Sequence, residues 1–226
     1  MYELYIGNKN YSSWSLRPWV LMKQLGIAFQ ERLVPFSAGS SWEAFRSFSP
    51  TGKVPCLVDG DIKVWDSLAI AEYLAERTDV WPKDTAARAW ARSAAAEMHS
   101  GFESLRGQCG MNCGVRVKLR PGHEGLQRDA ARIDELWAEG LGRFGGPFLA
   151  GDRFTAADAF FAPVAFRIQT YNIAVAPRSL DYATRVLKLP AMQAWYAAAL
   201  AERWREPAHE AEVKAAGELL EDLRQA

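Results

Sequence analysis

Four short stretches of the chain carry residue types that could do chemistry. The first is Tyr11-Ser12-Ser13-Trp14-Ser15-Leu16-Arg17, with three serines between an alternating, β-prone run at 2–7 and a helix-spaced run at 14–25. A helix starting here presents N–H groups and a partial positive charge. Both lower a thiol pKa from about 8.5, and a serine hydroxyl could add a hydrogen bond to the sulfur. The same serines could be plain N-caps, and their spacing leaves both readings open. The second stretch is Lys53-Val54-Pro55-Cys56-Leu57. Pro55 must sit at a strand start or edge, because it has no N–H for a ladder. A cis Val54-Pro55 bond would turn the Val54 backbone toward an extended ligand, although the general statistics of X-Pro bonds favour trans.

The third stretch, Trp65-Asp66-Ser67, opens a helix directly after a strand. Helix N–H groups can hold a carboxylate and Asp66 could pair with an amino group, so together they could grip an α-amino acid. An ordinary capped helix fits the same residues. The fourth, Gly151-Asp152-Arg153-Phe154-Thr155-Ala156-Ala157-Asp158, has Thr155 and Asp158 at capping-box spacing, with Phe154 placed to staple against Ala159 or a neighbour. It reads as folding information and not as a site.

The elements that must position these stretches follow from periodicity. Residues 2–7 and 28–34 alternate as strands, and 14–25 is helical, ending at Gly26. Pro18 is tolerated near a first turn, which predicts a start close to Ser15. Asp59-Gly60 between two β-rich runs predicts a hairpin. Asp66 or Ser67 then caps an amphipathic helix over 67–78. From residue 85 the chain reads as helical: 85–106, 126–143, 155–168, 190–204 and 208–224, with a glycine-bearing break over roughly 107–125. The expected organisation is α+β for residues 1–78 (βαβ, then ββα), a linker over 79–85, and an all-α unit over 86–226.

Composition excludes several classes. The 226 residues hold 27 basic and 27 acidic side chains, for a formal net charge of +0, with 49% hydrophobic residues. Nucleic-acid binding through a clustered basic stripe is not expected. No apolar run approaches the ~20 residues of a membrane span, and the N-terminus lacks a signal-peptide layout. Three cysteines make no disulfide framework. The expectation is a cytoplasmic protein without a membrane segment. Cys109 and Cys113 are four apart and would share a face on a helix, but lack further donors for a metal. A redox-labile pair is the other option for them, and Cys56 reads as strand core. His99, His123 and His209 are scattered and suggest neither a metal site nor a triad. Trp14, Trp19, Trp90, Trp137 and Trp195 read mostly as core, while Trp42 and Trp65 could border a cleft.

The four stretches, in this order and at these separations, resemble the glutathione S-transferase family over nearly the whole chain. Ser12-Ser13-Trp14-Ser15 is similar to the serine motif of zeta-class members, with Trp14 where that class has a cysteine. The resemblance implies a thioredoxin-like domain followed by the family's all-helical domain. It implies reduced glutathione as co-substrate, no metal, a small hydrophobic electrophile as partner, a homodimer and a role in detoxification. Ser12 is implied to hydrogen-bond the glutathione sulfur, with Ser13 the alternative, and Trp14 to border glutathione. Val54 would pair its backbone with the cysteinyl part, Pro55 would be cis, and Lys53 would meet the glycyl carboxylate. Asp66 and Ser67 would hold the γ-glutamyl end. Arg106, Met111 and Asn112 fall where family members line the electrophile pocket. A glutathione-dependent isomerase or peroxidase shares this site, and a non-enzymatic binding or regulatory protein keeps the fold. The departure at Trp14 argues against carrying over maleylacetoacetate isomerase activity directly.

Overall fold

The computed structural model describes residues 1–122 and 124–225. His123 lies outside them. Strand β1 (Tyr2–Ile6), helix α1 (Ser13–Gln24) and strand β2 (Phe29–Leu33) form a parallel crossover unit. Helix α2 (Trp42–Arg46) follows, then the hairpin β3 (Cys56–Asp59) and β4 (Ile62–Trp65), and helix α3 (Ser67–Ala75). The sheet order is β2-β1-β3-β4, with β3 antiparallel to both its neighbours. Asp59-Gly60 makes the hairpin turn, with Gly60 at φ 61°, a conformation glycine adopts without a Cβ penalty.

Alternation in β1 divides the packing between two faces. Leu4 and Ile6 are fully buried in the main core beside Leu16, Val20, Ile70 and Leu74 of α1 and α3. Tyr5 points the other way, into a smaller cluster with Phe45, Phe48 and Cys56. Cys56 is therefore strand core, as its pattern suggests.

Among the described residues, the rest of the chain is helical apart from one two-stranded ribbon. It comprises α4 (Thr85–Ser100), α5 (Glu103–Gln108), β5 (Val115–Leu119), α6 (Glu124–Arg143), α7 (Ala156–Tyr171), α8 (Pro177–Leu187), α9 (Pro190–Ala201), α10 (Pro207–Ala216) and β6 (Gly217–Asp222). Helix α7 is buried along nearly its whole length and packs against α1, α4 and α8, which ties the sheet unit to the helical one.

Four local expectations change. Helix α1 starts at Ser13, two residues before Ser15, and Pro18 lies in its second turn. The expected helix over 85–106 breaks at Gly101-Phe102, where Phe102 adopts left-handed φ 58° with its ring buried. Tertiary burial of that ring overrides helical periodicity. Helix α8 was not expected, although Tyr182, Ala183 and Val186 give it a buried stripe and Pro177 stands at its first position. The expected helix over 208–224 ends at Ala216, and β6 pairs antiparallel with β5. The reason lies at Gly217, where a Cβ would come within 2.1 Å of the Lys118 carbonyl oxygen. Only a bare backbone fits there, and it fits extended.

The same segment alters the cysteine reading. Cys109 is the residue that ends α5, with φ −122° and ψ 68°, and Cys113 lies beyond it in the turn before β5, so the two share no helix face. Both are buried and free, and burial pushes the Cys109 thiol up to about 12. Among the described residues no group of three His, Cys, Asp or Glu side chains is placed to hold a metal ion. No helix among them is long and apolar enough to cross a membrane.

Candidate functional site

The serines sit where β1 hands over to α1. Backbone bonds from Tyr11 and Ser12 to the Asn8 carbonyl oxygen, at 3.2 and 2.8 Å, wind the chain into the helix. Ser12 occupies the N-cap position, yet its hydroxyl makes no capping bond. It lies 2.7 Å from the Ser15 hydroxyl, which accepts the Gly7 N–H at 3.1 Å. The Ser13 hydroxyl accepts a long, 3.5 Å contact from Arg167. Ser12 and Ser13 both line a cavity of about 1160 Å³ between the sheet unit and the helical unit.

Tyr11 lines the same cavity, but its hydroxyl donates at 2.7 Å to the Glu210 carboxylate and receives Arg224. Burial and Glu210 raise its pKa, so this hydroxyl is committed away from the cavity.

A second, smaller cavity of about 470 Å³ adjoins the first and is lined by Lys53, Val54, Pro55, Asp66 and Ser67. Trp14, Lys53, Val54 and Arg106 border both. The Val54-Pro55 peptide is cis. Asp66 holds φ 74° with ψ 135°, outside the left-handed helical region and uncommon for any residue but glycine. One of its carboxylate oxygens caps α3 through the Leu68 N–H at 2.8 Å, and the other lies 3.3 Å from His99 Nε2. Ser67 is buried and accepts a 3.4 Å contact from Arg17.

The Trp14 indole stands at the junction. The Arg17 guanidinium carbon is 4.2 Å from its ring centroid, that of Arg106 is 4.7 Å away, and the His99 ring meets it edge-on at 5.1 Å. Burial lowers the His99 pKa, with Arg17 and Arg106 adding to the effect against Asp66. His99 Nε2 faces the Asp66 carboxylate, and its buried Nδ1 has no hydrogen-bond partner.

The structure thus gathers Ser12, Ser13, Trp14, Lys53, Val54, Pro55, Asp66 and Ser67 around two joined cavities. Arg106 and Met111 line the larger one. Asn112 lies behind its wall, buried, with its side-chain amide near Glu210 and its carbonyl accepting the Thr170 hydroxyl. Trp42 borders the larger cavity and Trp65 the smaller. The Thr155–Asp158 box lies elsewhere, in the helical core: Asp158 accepts both the N–H and the hydroxyl of Thr155, at 2.9 and 3.1 Å. Phe154 packs edge-on against Phe148.

Ser15, one of the three serines of the first stretch, has no separate role in the sequence reading, although its place three residues from Ser12 shares a helix face. His99 reads there only as a scattered histidine, and Arg167 does not figure; both come from distant helices, and nothing near them in the chain marks them.

Comparison with known proteins agrees with this arrangement. The model of the glutathione S-transferase N-terminal domain matches residues 11–77, and that of the C-terminal domain matches 88–198. Glutathione S-transferase 1 of Dianthus caryophyllus is 29% identical over 170 residues, spanning 71% of this chain and 74% of its own. A probable maleylacetoacetate isomerase of Caenorhabditis elegans is 26% identical over 185 residues, spanning 77% of this chain and 82% of its own. The crystal structure of a Burkholderia glutathione transferase homologue with bound glutathione superposes with a TM-score of 0.64 at 26% identity, covering 88% of this chain and 97% of its own. Two domain models that together span most of the chain, in the order the fold requires, make this protein a member of the glutathione S-transferase family.

Proposed function

We propose that the protein is a glutathione transferase. Reduced glutathione lies across the two cavities with its sulfur at Ser12, and the thiolate attacks a small electrophile held in the larger cavity. The observation that carries this reading is the Ser12 hydroxyl, buried on the cavity wall, paired with Ser15 and unused as a helix cap. The Ser12 hydroxyl donates to Ser15 here; with glutathione bound the bond reverses, Ser15 donates to Ser12, and the Ser12 proton turns toward sulfur. The Gly7 N–H supports the far end of this chain of bonds, and linked hydrogen bonds strengthen one another. A hydrogen bond to an ionised partner is worth about 1.5–3 kcal/mol. That corresponds to roughly one to two pKa units, enough to move a thiol of about 8.5 to near neutrality.

The remaining contacts follow the resemblance. Ser67 and the start of α3 take the γ-glutamyl carboxylate, and Asp66 takes its amino group. Val54, before cis Pro55, pairs with the cysteinyl backbone, Lys53 meets the glycyl carboxylate, and Ser13 and Trp14 flank the sulfur. In the reaction the thiol proton passes to solvent and sulfur forms a bond to the electrophilic carbon. A leaving group departs with its bonding pair, or, in a conjugate addition, the displaced π pair takes up a proton.

The similarity to a probable maleylacetoacetate isomerase favours one second reading, glutathione-dependent isomerisation, in which the same thiolate adds and is later expelled. Calorimetric titration with reduced glutathione, with S-hexylglutathione alongside, tests the shared binding step. Saturable binding by both supports it. No binding by folded protein overturns both readings and leaves a family fold used for another purpose.

A further inference from the structure

Arg17 and Arg106 stack on Trp14, Arg167 reaches the neighbouring Ser13, and none of the three is paired with an acid. Arg17 is 2% exposed and Arg167 is 4% exposed, and Arg106 is half-buried. Their partners are all neutral. Arg17 reaches the Ser67 hydroxyl and the Met98 carbonyl, both at a long 3.4 Å, and its buried Nε has no partner. Arg106 donates to the carbonyls of His99 and Gly101 at 3.2 Å. Arg167 donates to the Cys109 carbonyl at 2.8 Å and to Ser13 at 3.5 Å.

Burial of this kind is costly. A guanidinium taken from water without a counter-charge loses hydration that neutral carbonyls replace only in part. Burial, then the charge of Arg167 and Arg106, pushes the Arg17 pKa down to about 9, and burial lowers Arg167 to about 10. Both stay charged at neutral pH against mutual repulsion. The nearest acid, Asp66, is engaged by the Leu68 N–H and by His99. Glu103 and Glu212 line the same cavity, and neither pairs with any of the three. Buried cations that converge on a cavity without acids of their own are matched by an anion that arrives with the ligand.

Resting on the transferase reading above, we propose that the larger cavity takes an electrophile that carries a carboxylate, bound by Arg106 and Arg167 with Arg17 behind them. The acceptor then combines an apolar body, against Trp14 and Met111, with an anionic end. Glutathione has two carboxylates of its own, which on the reading above fall to the Ser67 and Lys53 ends of the smaller cavity; Arg106 borders that cavity and Arg167 does not.

The test compares two conjugates of equal chain length, S-hexylglutathione and S-(5-carboxypentyl)glutathione, with glutathione titrated beside them. In the wild-type protein the carboxylate conjugate should bind about tenfold more tightly than the hexyl one. Arg106→Gln should erase that preference and Arg106→Lys should keep part of it. Arg167→Gln should act like Arg106→Gln, provided circular dichroism shows it folded. A wild-type preference for the hexyl chain, or none, overturns the proposal. So does a glutathione Kd that weakens in Arg106→Gln as much as the Kd of the carboxylate conjugate, because the arginines would then serve glutathione. Failure of glutathione itself to bind the wild-type protein overturns the transferase reading, and a normal glutathione Kd with no carboxylate preference overturns this proposal alone.

Discussion

Two helices of this protein begin with the same local grammar and use it differently. Helix α7 starts at Thr155, with Asp158 three residues on. The Asp158 carboxylate accepts four hydrogen bonds, from the Thr155 N–H and hydroxyl, the Leu149 N–H at 2.9 Å and the Tyr182 hydroxyl at 2.8 Å. Two of these bonds close the helix start on itself, and two tie down the Leu149 backbone and α8. Helix α1 starts at Ser12, where no carboxylate follows in the first turn and the serine hydroxyl caps nothing. It bonds only to another hydroxyl and faces a cavity. A hydroxyl at an N-cap is therefore no guide to its use. What separates the two is whether an acid and a packed neighbour claim the terminus.

The largest expected effect breaks the α7 side. Asp158→Ala leaves buried donors on Leu149, Thr155 and Tyr182 unsatisfied and should cost about 3–5 kcal/mol of stability, read from the denaturant midpoint. Glutathione affinity of the protein that remains folded should be unchanged. A comparable loss of affinity would mean that the two helix starts are not separable.

Ser12→Ala is the counterpart on α1. It should raise the pKa of bound glutathione by one to two units and cut turnover at neutral pH by roughly tenfold to hundredfold. It should cost less stability than the ~1 kcal/mol of a capping serine. Unchanged thiolate absorbance would move the role to Ser13.

Asp66 lies between the extremes, since it caps α3 and also faces the smaller cavity. Asp66→Ala should weaken glutathione binding by about tenfold, and Asp66→Asn, which can still accept the Leu68 N–H, should weaken it similarly at less cost in stability. An unaltered Kd in both would remove Asp66 from the γ-glutamyl site. Thr155→Ala, which leaves Asp158 in place, should cost only about 1 kcal/mol with binding intact.

The smallest effect belongs to His99. Its folded pKa lies below 6.5, so as the pH falls through about 6.5 the unfolded chain takes up a proton that the folded chain does not. Stability should decline from pH 7 toward that lowered value. His99→Gln should flatten this part of the profile, and equal slopes in the two proteins would show that His99 titrates freely.

Much of the fold is legible in the chain because the signals are local. Alternation in residues 2–7, the Asp59-Gly60 turn, the cap at Asp66 and the box at Thr155–Asp158 each act within a few residues, and the structure contains them all. The site is legible in part, since Ser12, Val54-Pro55 and Asp66-Ser67 stand at element boundaries that the same local signals mark. Where packing overrides a local signal, the pattern misleads. Phe102 leaves the helix so that its ring can be buried, and Gly217 leaves it because the Lys118 backbone is too close for a side chain.

What the sequence by itself determined is the order and type of most elements and the places where helix termini meet strand ends, because hydrophobic period, turn chemistry and caps are properties of neighbours in the chain. The tertiary structure decided which hydroxyl at those termini is unused as a cap and faces a cavity, and it brought Arg167 to Ser13 across 154 positions, beside the Trp14 that Arg17 and Arg106 stack on. Charge in a cavity depends on which distant side chains share low-dielectric space, and no window along the chain contains that information.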